Sequence, residues 1–407
     1  MTVATGLCAL AATEAAAQTP PSGGQIVLNE QLQLGDVFSH QTINVVDAEE
    51  QVTVATTAQG NYATVAAQDV PAQVTSNQDT RGDALATTDV DLDGDTQAVV
   101  SVAVQARGNY AQGAAYNSEM SVDATQTNSG GLVGSRAYVG GEDARLLDGG
   151  SINAASVSNT VDLYAEGSFV RGTIDQTSYS TVQSYSRLES QYVPGDAEVT
   201  GTAIVNSIAS SGEQTSGQNL SFSQESTGAY VQGESSANSG NAWNLASRAR
   251  ATANHAVIAN EGGSVVVEGV QNNTAFVRAA AESTSYDFGR MESYARGAAN
   301  DVSVGNNDIF VEIDNTQINS GGVEVSSTFS GTNGYDVYVG ADAVGNSVVG
   351  YACAECHATM NATNVQTNTG NVQATSQVVV AGSNRAVITG ANATGNSATF
   401  YVSRPGN

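Results

Sequence analysis

Apolar and polar residues alternate along much of this chain with a period of two. Ala98, Val100, Val102, Val104 and Ala106 share one parity, while Ser101, Gln105, Arg107 and Asn109 lie on the other. That spacing predicts half-buried β-strands. Met120, Val122 and Ala124 share their parity with Gln126 and Asn128, and Leu220 and Phe222 share theirs with Gln224. Val311 and Ile313 likewise share parity with Asn315, Gln317 and Asn319. A recurring glutamine therefore follows the apolar face. A bare buried amide costs on the order of 1–3 kcal/mol, so an interior glutamine needs partners. Stacked coils supply them as amide ladders. A solvated face is the other reading of these glutamines. The alanine-rich stretches 243–259 and 279–299 have helix-forming composition, but the repeat register assigns them to strands.

The polar residues recur at long range as well. An asparagine returns at Asn61, Asn109, Asn159, Asn206, Asn254, Asn300, Asn346 and Asn396, in steps of 46 to 50 residues. A glutamine returns at Gln78, Gln126, Gln176, Gln224, Gln271, Gln317 and Gln366, also in steps of 46 to 50. The offset from asparagine to glutamine is 17 or 18 in the first six copies and 20 in the seventh. Gly108-Asn109, Gly345-Asn346 and Gly395-Asn396 show the first motif, and Gln126-Thr-Asn-Ser-Gly130 and Gln317-Ile-Asn-Ser-Gly321 the second. Asparagine and glycine are turn residues that accept positive φ.

A period near 48 residues fits two solenoid coils of 24 or one four-stranded propeller blade. Blades carry bulky aromatics, and this chain of 407 residues has one Trp and eight Phe. The expected fold is all-β: a parallel β-helix or β-solenoid of about eight repeats, with an eight-bladed β-propeller as the alternative. Sixteen coils at a spacing of ~4.8 Å would make a rod of roughly 75 Å. On that reading the glutamine recurs only on alternate coils, and an unbroken ladder needs another polar residue between.

Charge narrows the partners. The chain has 13 basic residues, all arginine, against 40 acidic ones, for a net charge of −27. Such a surface repels nucleic acid and anionic membranes. No window is apolar enough for a membrane-spanning helix, so an integral membrane protein is not expected. Residues 1–24 read as an export signal and leader that lacks a basic n-region, and residues 25–407 as the solenoid domain.

Three constellations invite chemistry. Cys353-Ala-Glu-Cys356-His357 matches a c-type haem attachment pattern, but it falls where the repeat carries an insertion. In an exported chain a Cys353–Cys356 disulfide loop is the blander reading, with haem or another metal as alternatives. Asp89, Asp91, Asp93 and Asp95, with Gly94 among them, have the first half of a calcium loop, though Val100 stands where the closing glutamate belongs. No cofactor is expected, and calcium at this turn is the alternative to a solvated acidic loop. Tyr179, Tyr185, Tyr192, Tyr286 and Tyr294, with Arg187 and Arg290, could form a sugar-binding flank or simply pair across strands. No nucleophile elbow, histidine-centred triad or phosphate loop is visible, so no catalytic residue is assigned.

The Gly-Asn and Gln-x-Asn-x-Gly copies, in an acidic exported chain of this length, resemble the holdfast anchor protein D family of surface-attaching bacteria. The resemblance covers most of residues 25–407. It implies a non-enzymatic anchor at the outer membrane and cell surface. The implied partners are the holdfast polysaccharide, or another surface polysaccharide, and other surface anchor proteins. It transfers no individual functional residue. A secreted β-helix polysaccharide lyase or hydrolase is the alternative function.

Overall fold

A computed structural model describes residues 24–141, 143–308, 310–353 and 358–403. Among them every regular element is a β-strand. The third coil shows the plan. A first strand, Glu119–Asn128, leads through a tight turn to a second, Leu132–Gly140, and a corner leads to a long third strand, Gly150–Glu166. From the fourth coil to the seventh, the second and third strands run together, as in Thr181–Glu213 and Tyr230–Asn260.

Coils pair in parallel with register fixed residue by residue. Gln78 lies beside Gln126, Gln126 beside Gln176 and Gln176 beside Gln224. The first strands of the eight coils make one eight-stranded sheet, and the other strands make a 14-stranded one. Parallel pairing from coil to coil excludes the propeller, whose blades are antiparallel meanders. The solenoid stands, but the 24-residue coil does not. Strand partners are 46 to 50 residues apart, so each repeat makes one coil and not two. Eight coils at ~4.8 Å make a stack of roughly 38 Å, half the expected length. The alanine-rich stretches are strand, as the register requires.

The third strand explains the two-lobed interior. In Gly150–Glu166 the even positions are buried up to Ser158 and the odd positions from Asn159 onward. The parity changes because the strand bends at Ser158-Asn159. One apolar column packs the second strand against the first half of the third, with Val133, Val139, Ile152 and Ala154. The other packs the second half against the first strand, with Met120, Val122, Val161 and Leu163.

A polar spine runs between the columns. Each glutamine from Gln78 to Gln366 donates one N–H to the glutamine of the preceding coil, at 2.7 to 2.9 Å. Its other N–H goes across the coil to a backbone carbonyl, such as Thr160 O for Gln126 and Ser207 O for Gln176. Each asparagine from Asn61 to Asn346 donates the opposite way, to the following coil, at 2.8 or 2.9 Å. It too reaches a carbonyl across the coil, as Asn109 does to Thr127 O. Those carbonyls accept only N–H, which fixes the orientation of every amide. With a glutamine on each coil, the ladder needs no intervening polar residue.

The waist leaves little room. A Cβ on Gly108 would sit 2.2 Å from Asn128 Nδ2 and 2.5 Å from Ser158 O. One coil on, Ser158 takes that place because Ser178, shorter than asparagine, faces it at 2.8 Å.

Candidate functional site

The corner between the second and third strands is the irregular part of each coil. There Tyr192 aligns with Asn241, Asn241 with Asp287 and Asp287 with Asn333. These residues make a second polar ladder on the outside. Asp287 N–H donates to Asn241 Oδ1 at 3.2 Å, Asn333 Nδ2 to Asp287 Oδ1 at 3.2 Å, and Ser383 N–H to Asn333 Oδ1 at 3.4 Å.

Beside this ladder lies a cleft of about 510 Å³ lined by Tyr192, Trp243, Phe288 and Tyr335. Trp243 is 56% exposed and Tyr335 51%. Trp243 belongs to the fifth coil and Tyr335 to the seventh, yet their rings meet edge to face at 5.9 Å. Gly289 on the coil between them makes this contact feasible. A Cβ there would come within 3.0 Å of the indole and 2.4 Å of Trp243 O. Phe288 turns inward against Phe329, with centroids 5.0 Å apart, and forms the floor. Arg385 stacks over Tyr335 at 5.7 Å and pairs with Asp336. The Arg385 hydrogen bond holds the Asp336 carboxyl below its ordinary value.

The next residues along the chain form a charged cleft of about 520 Å³. Arg248 bridges Glu198 at 2.6 Å and Glu292 at 2.8 Å, and Arg290 lies over the Tyr338 ring at 5.0 Å. The corner thus combines exposed aromatic faces with neutral and charged hydrogen-bonding groups. Pyranose rings present apolar C–H faces to aromatics and hydroxyls to amides, carboxylates and guanidinium groups, so this surface suits a sugar chain.

The tyrosines and arginines singled out in the sequence are only partly brought together. Tyr192 and Arg290 line the two clefts. Tyr286 is exposed beside Asp287. Tyr185 and Arg187 lie on the flank of the second strand, where Arg187 pairs with Glu189. Tyr179 stands apart in the turn after Phe169–Ser178. Tyr294 donates its hydroxyl to Asp342 at 2.5 Å, and burial with that bond pushes its pKa up to about 12. Sequence reasoning missed Trp243, Tyr335, Asn241, Asp287 and Asn333. The signal was available in the shared 46-residue step from Asn241 to Asp287 to Asn333.

Asp89 and Asp91 point outward from the strand Ala84–Leu92, and strand geometry sets alternate side chains roughly 6.6 Å apart instead of converging them. Asp89 pairs with Arg136 at 3.0 Å and Asp95 with Arg145 at 3.1 Å, while Asp93 is exposed. Among the described residues no group of three or more His, Cys, Asp or Glu side chains is gathered to hold an ion. Cys353 is half-buried at the end of its strand, and Cys356 and His357 lie outside the described residues, as does the stretch read above as an export signal, up to residue 23.

The sequence model of the family described as Holdfast attachment protein D matches residues 46–322. No curated protein and no solved structure matches the chain. No helix among the described residues is long and apolar enough to cross a membrane. The family match takes in most of the amide spine and the Trp243 side of the groove, and it spans more than half of the 407 residues. The chain therefore belongs to the Holdfast attachment protein D family.

Proposed function

We propose that this chain anchors the adhesive holdfast polysaccharide to the cell envelope, and that the corner groove is where the sugar chain is held. The observation that carries this reading is the exposed Trp243–Tyr335 pair beside the Asn241–Asp287–Asn333 ladder, on a rod of a holdfast attachment family. The groove crosses several coils, so a polymer lying in it touches repeated weak sites that act together. Tension on that polymer is shared by the parallel backbone ladders of both sheets. In this reading the protein is exported and acts at the outer membrane with other surface anchor proteins.

The test is a double variant, Trp243→Ala with Tyr335→Ala. Its binding to purified holdfast material is compared with that of the unaltered protein, and cells carrying it are scored for shed adhesive. Removing two stacking faces should weaken binding about tenfold or more, a loss of ~1.4 kcal/mol or more. Undiminished binding together with full retention of holdfast would sink the reading.

A further inference from the structure

Asp287 is the one charged residue that lines the aromatic cleft at the corner. It is exposed, and its carboxylate takes a neutral donor, Asn333 Nδ2 at 3.2 Å. Among the described residues no arginine or histidine lies within ion-pair distance of it. Two rings of the cleft already show what their faces attract. Arg145 lies over Tyr192 at 5.8 Å, and Arg385 over Tyr335 at 5.7 Å. Each of these arginines is neutralised by its own carboxylate, Asp95 for the first and Asp336 for the second. Trp243 comes from a coil between those of Tyr192 and Tyr335, and indole is the best aromatic platform for a cation. More than half of it is exposed, yet among the described residues no cation lies over it.

The shortage of positive charge continues into the neighbouring cleft. There Arg248 is shared by Glu198 and Glu292, and Arg290 also pairs with Glu292. Asp148 and Asp196 line the same cleft with no arginine in ion-pair distance among the described residues. Asp196 takes only the neutral Asn244 Nδ2, at 2.6 Å.

We infer that the groove selects a sugar chain bearing free amino groups, with one ammonium held at Asp287 beside the Trp243 ring. Further ammonium groups of the same chain lie along Asp196 and Asp148. This rests on the groove reading above and adds the class of sugar the groove prefers. A carboxylate and an aromatic face complement a positive charge in two ways, by ion pairing and by cation–π attraction. An acetyl group on the sugar nitrogen removes that charge and both attractions with it. A uronic acid chain would set its carboxylates against Asp287, Asp196 and Asp148, so it is rejected by repulsion. Asp287 is then the residue that sets specificity.

The test is titration of the full chain with three probes in mildly acidic buffer, which keeps sugar amines charged. The probes are a glucosamine oligomer with free amines, its fully N-acetylated counterpart, and a lysine oligomer of matching charge. The free-amine oligomer should bind about tenfold more tightly than the acetylated one. Asp287→Asn should weaken free-amine binding about threefold to fivefold more than it weakens acetylated binding. The variant should fold normally, because Asn241 and Asn333 already hold the same register on the adjacent coils, and an unchanged urea midpoint checks this. Equal binding of the two sugar oligomers, both lost in the Trp243→Ala, Tyr335→Ala double variant, would overturn the preference and leave the groove reading standing. Free-amine binding that survives intact in the double variant would overturn both. A lysine oligomer that binds as tightly as the free-amine sugar, with the same sensitivity to Asp287→Asn, would also overturn the inference, since the groove would then select charge and not sugar.

Discussion

At the waist every coil from Asn61 to Asn396 carries an asparagine, whereas at the opposite corner the aligned residues read Tyr192, Asn241, Asp287 and Asn333. Both sites are ladders of polar side chains one coil apart. They differ in what surrounds them. Asn109 through Asn346 are fully buried, and each amide has a single arrangement that satisfies its two N–H groups. The corner residues face water, which accepts any hydrogen-bonding pattern, so their chemistry is free to change from coil to coil. Repetition therefore marks what the fold needs, and variation marks the surface available for binding.

The largest effect should come from breaking the repeated side. Gln176→Leu strips a donor from Gln126 Oε1 and Ser207 O, and removes the acceptor of Gln224 Nε2. Each unsatisfied group costs on the order of 1–3 kcal/mol, so a loss of about 3 kcal/mol or more is expected in urea unfolding. Gln31→Leu, at the half-exposed first coil, leaves fewer groups bare and should cost clearly less. Equal costs at the two positions would erase the distinction between interior and end.

A smaller effect comes from an exception at the waist itself. On the outside of the bend, Arg250 Nη2 lies 3.2 Å from His255 Nε2, and Asp301 on the next coil receives His255 at 3.4 Å and Arg296 at 3.3 Å. Burial pushes the Asp301 carboxyl up, but the His255 hydrogen bond and the charges of His255, Arg296 and Arg250 outweigh it, and the group sits below its ordinary value. A depressed folded-state pKa adds stability that is fully present above the unfolded-state value. That stability is lost as pH falls through the folded-state value. Unfolding measured against pH should therefore show an acid-side decline that Asp301→Asn flattens, with a neutral-pH cost of about 2 kcal/mol. An identical decline in the variant would assign the acid sensitivity elsewhere.

Legibility in the sequence follows the same division. The waist could be read, because Gln126 shares parity with Met120 and Val122, and a period kept over seven copies has few other causes. The number of coils per repeat could not, since a period gives the length of a unit but not how many sides it winds around. Coil size here is set by the bend at Asn159 and by the corner after Gly140, both of which resemble ordinary turns in sequence. The groove was hidden because Trp243 and Tyr335 come from coils that are not adjacent. Their contact depends on Gly289 leaving space between them. Tyr179 and Tyr185 looked like its partners because they are close in sequence to Tyr192, but the winding of the coil carries them to other faces.

The smallest stability effect is expected where the functional effect is greatest. Trp243 packs on Gly289 and Tyr335 but is more than half exposed, so its removal uncovers little core. Trp243→Ala should shift unfolding free energy by no more than about 0.5 kcal/mol, the range of ordinary surface substitutions. Gly289→Ala is the sharper companion. It keeps both aromatic rings but forces Trp243 off its seat, because the added Cβ would lie 2.4 Å from the backbone Trp243 O and 3.0 Å from the indole carbons Cδ2 and Cε3. Binding of holdfast material should then fall in both variants while the unfolding midpoint moves appreciably only in Gly289→Ala. If Trp243→Ala instead unfolded as readily as Gln176→Leu, the corner would be a structural joint like the waist, and the division between the two bends would fail.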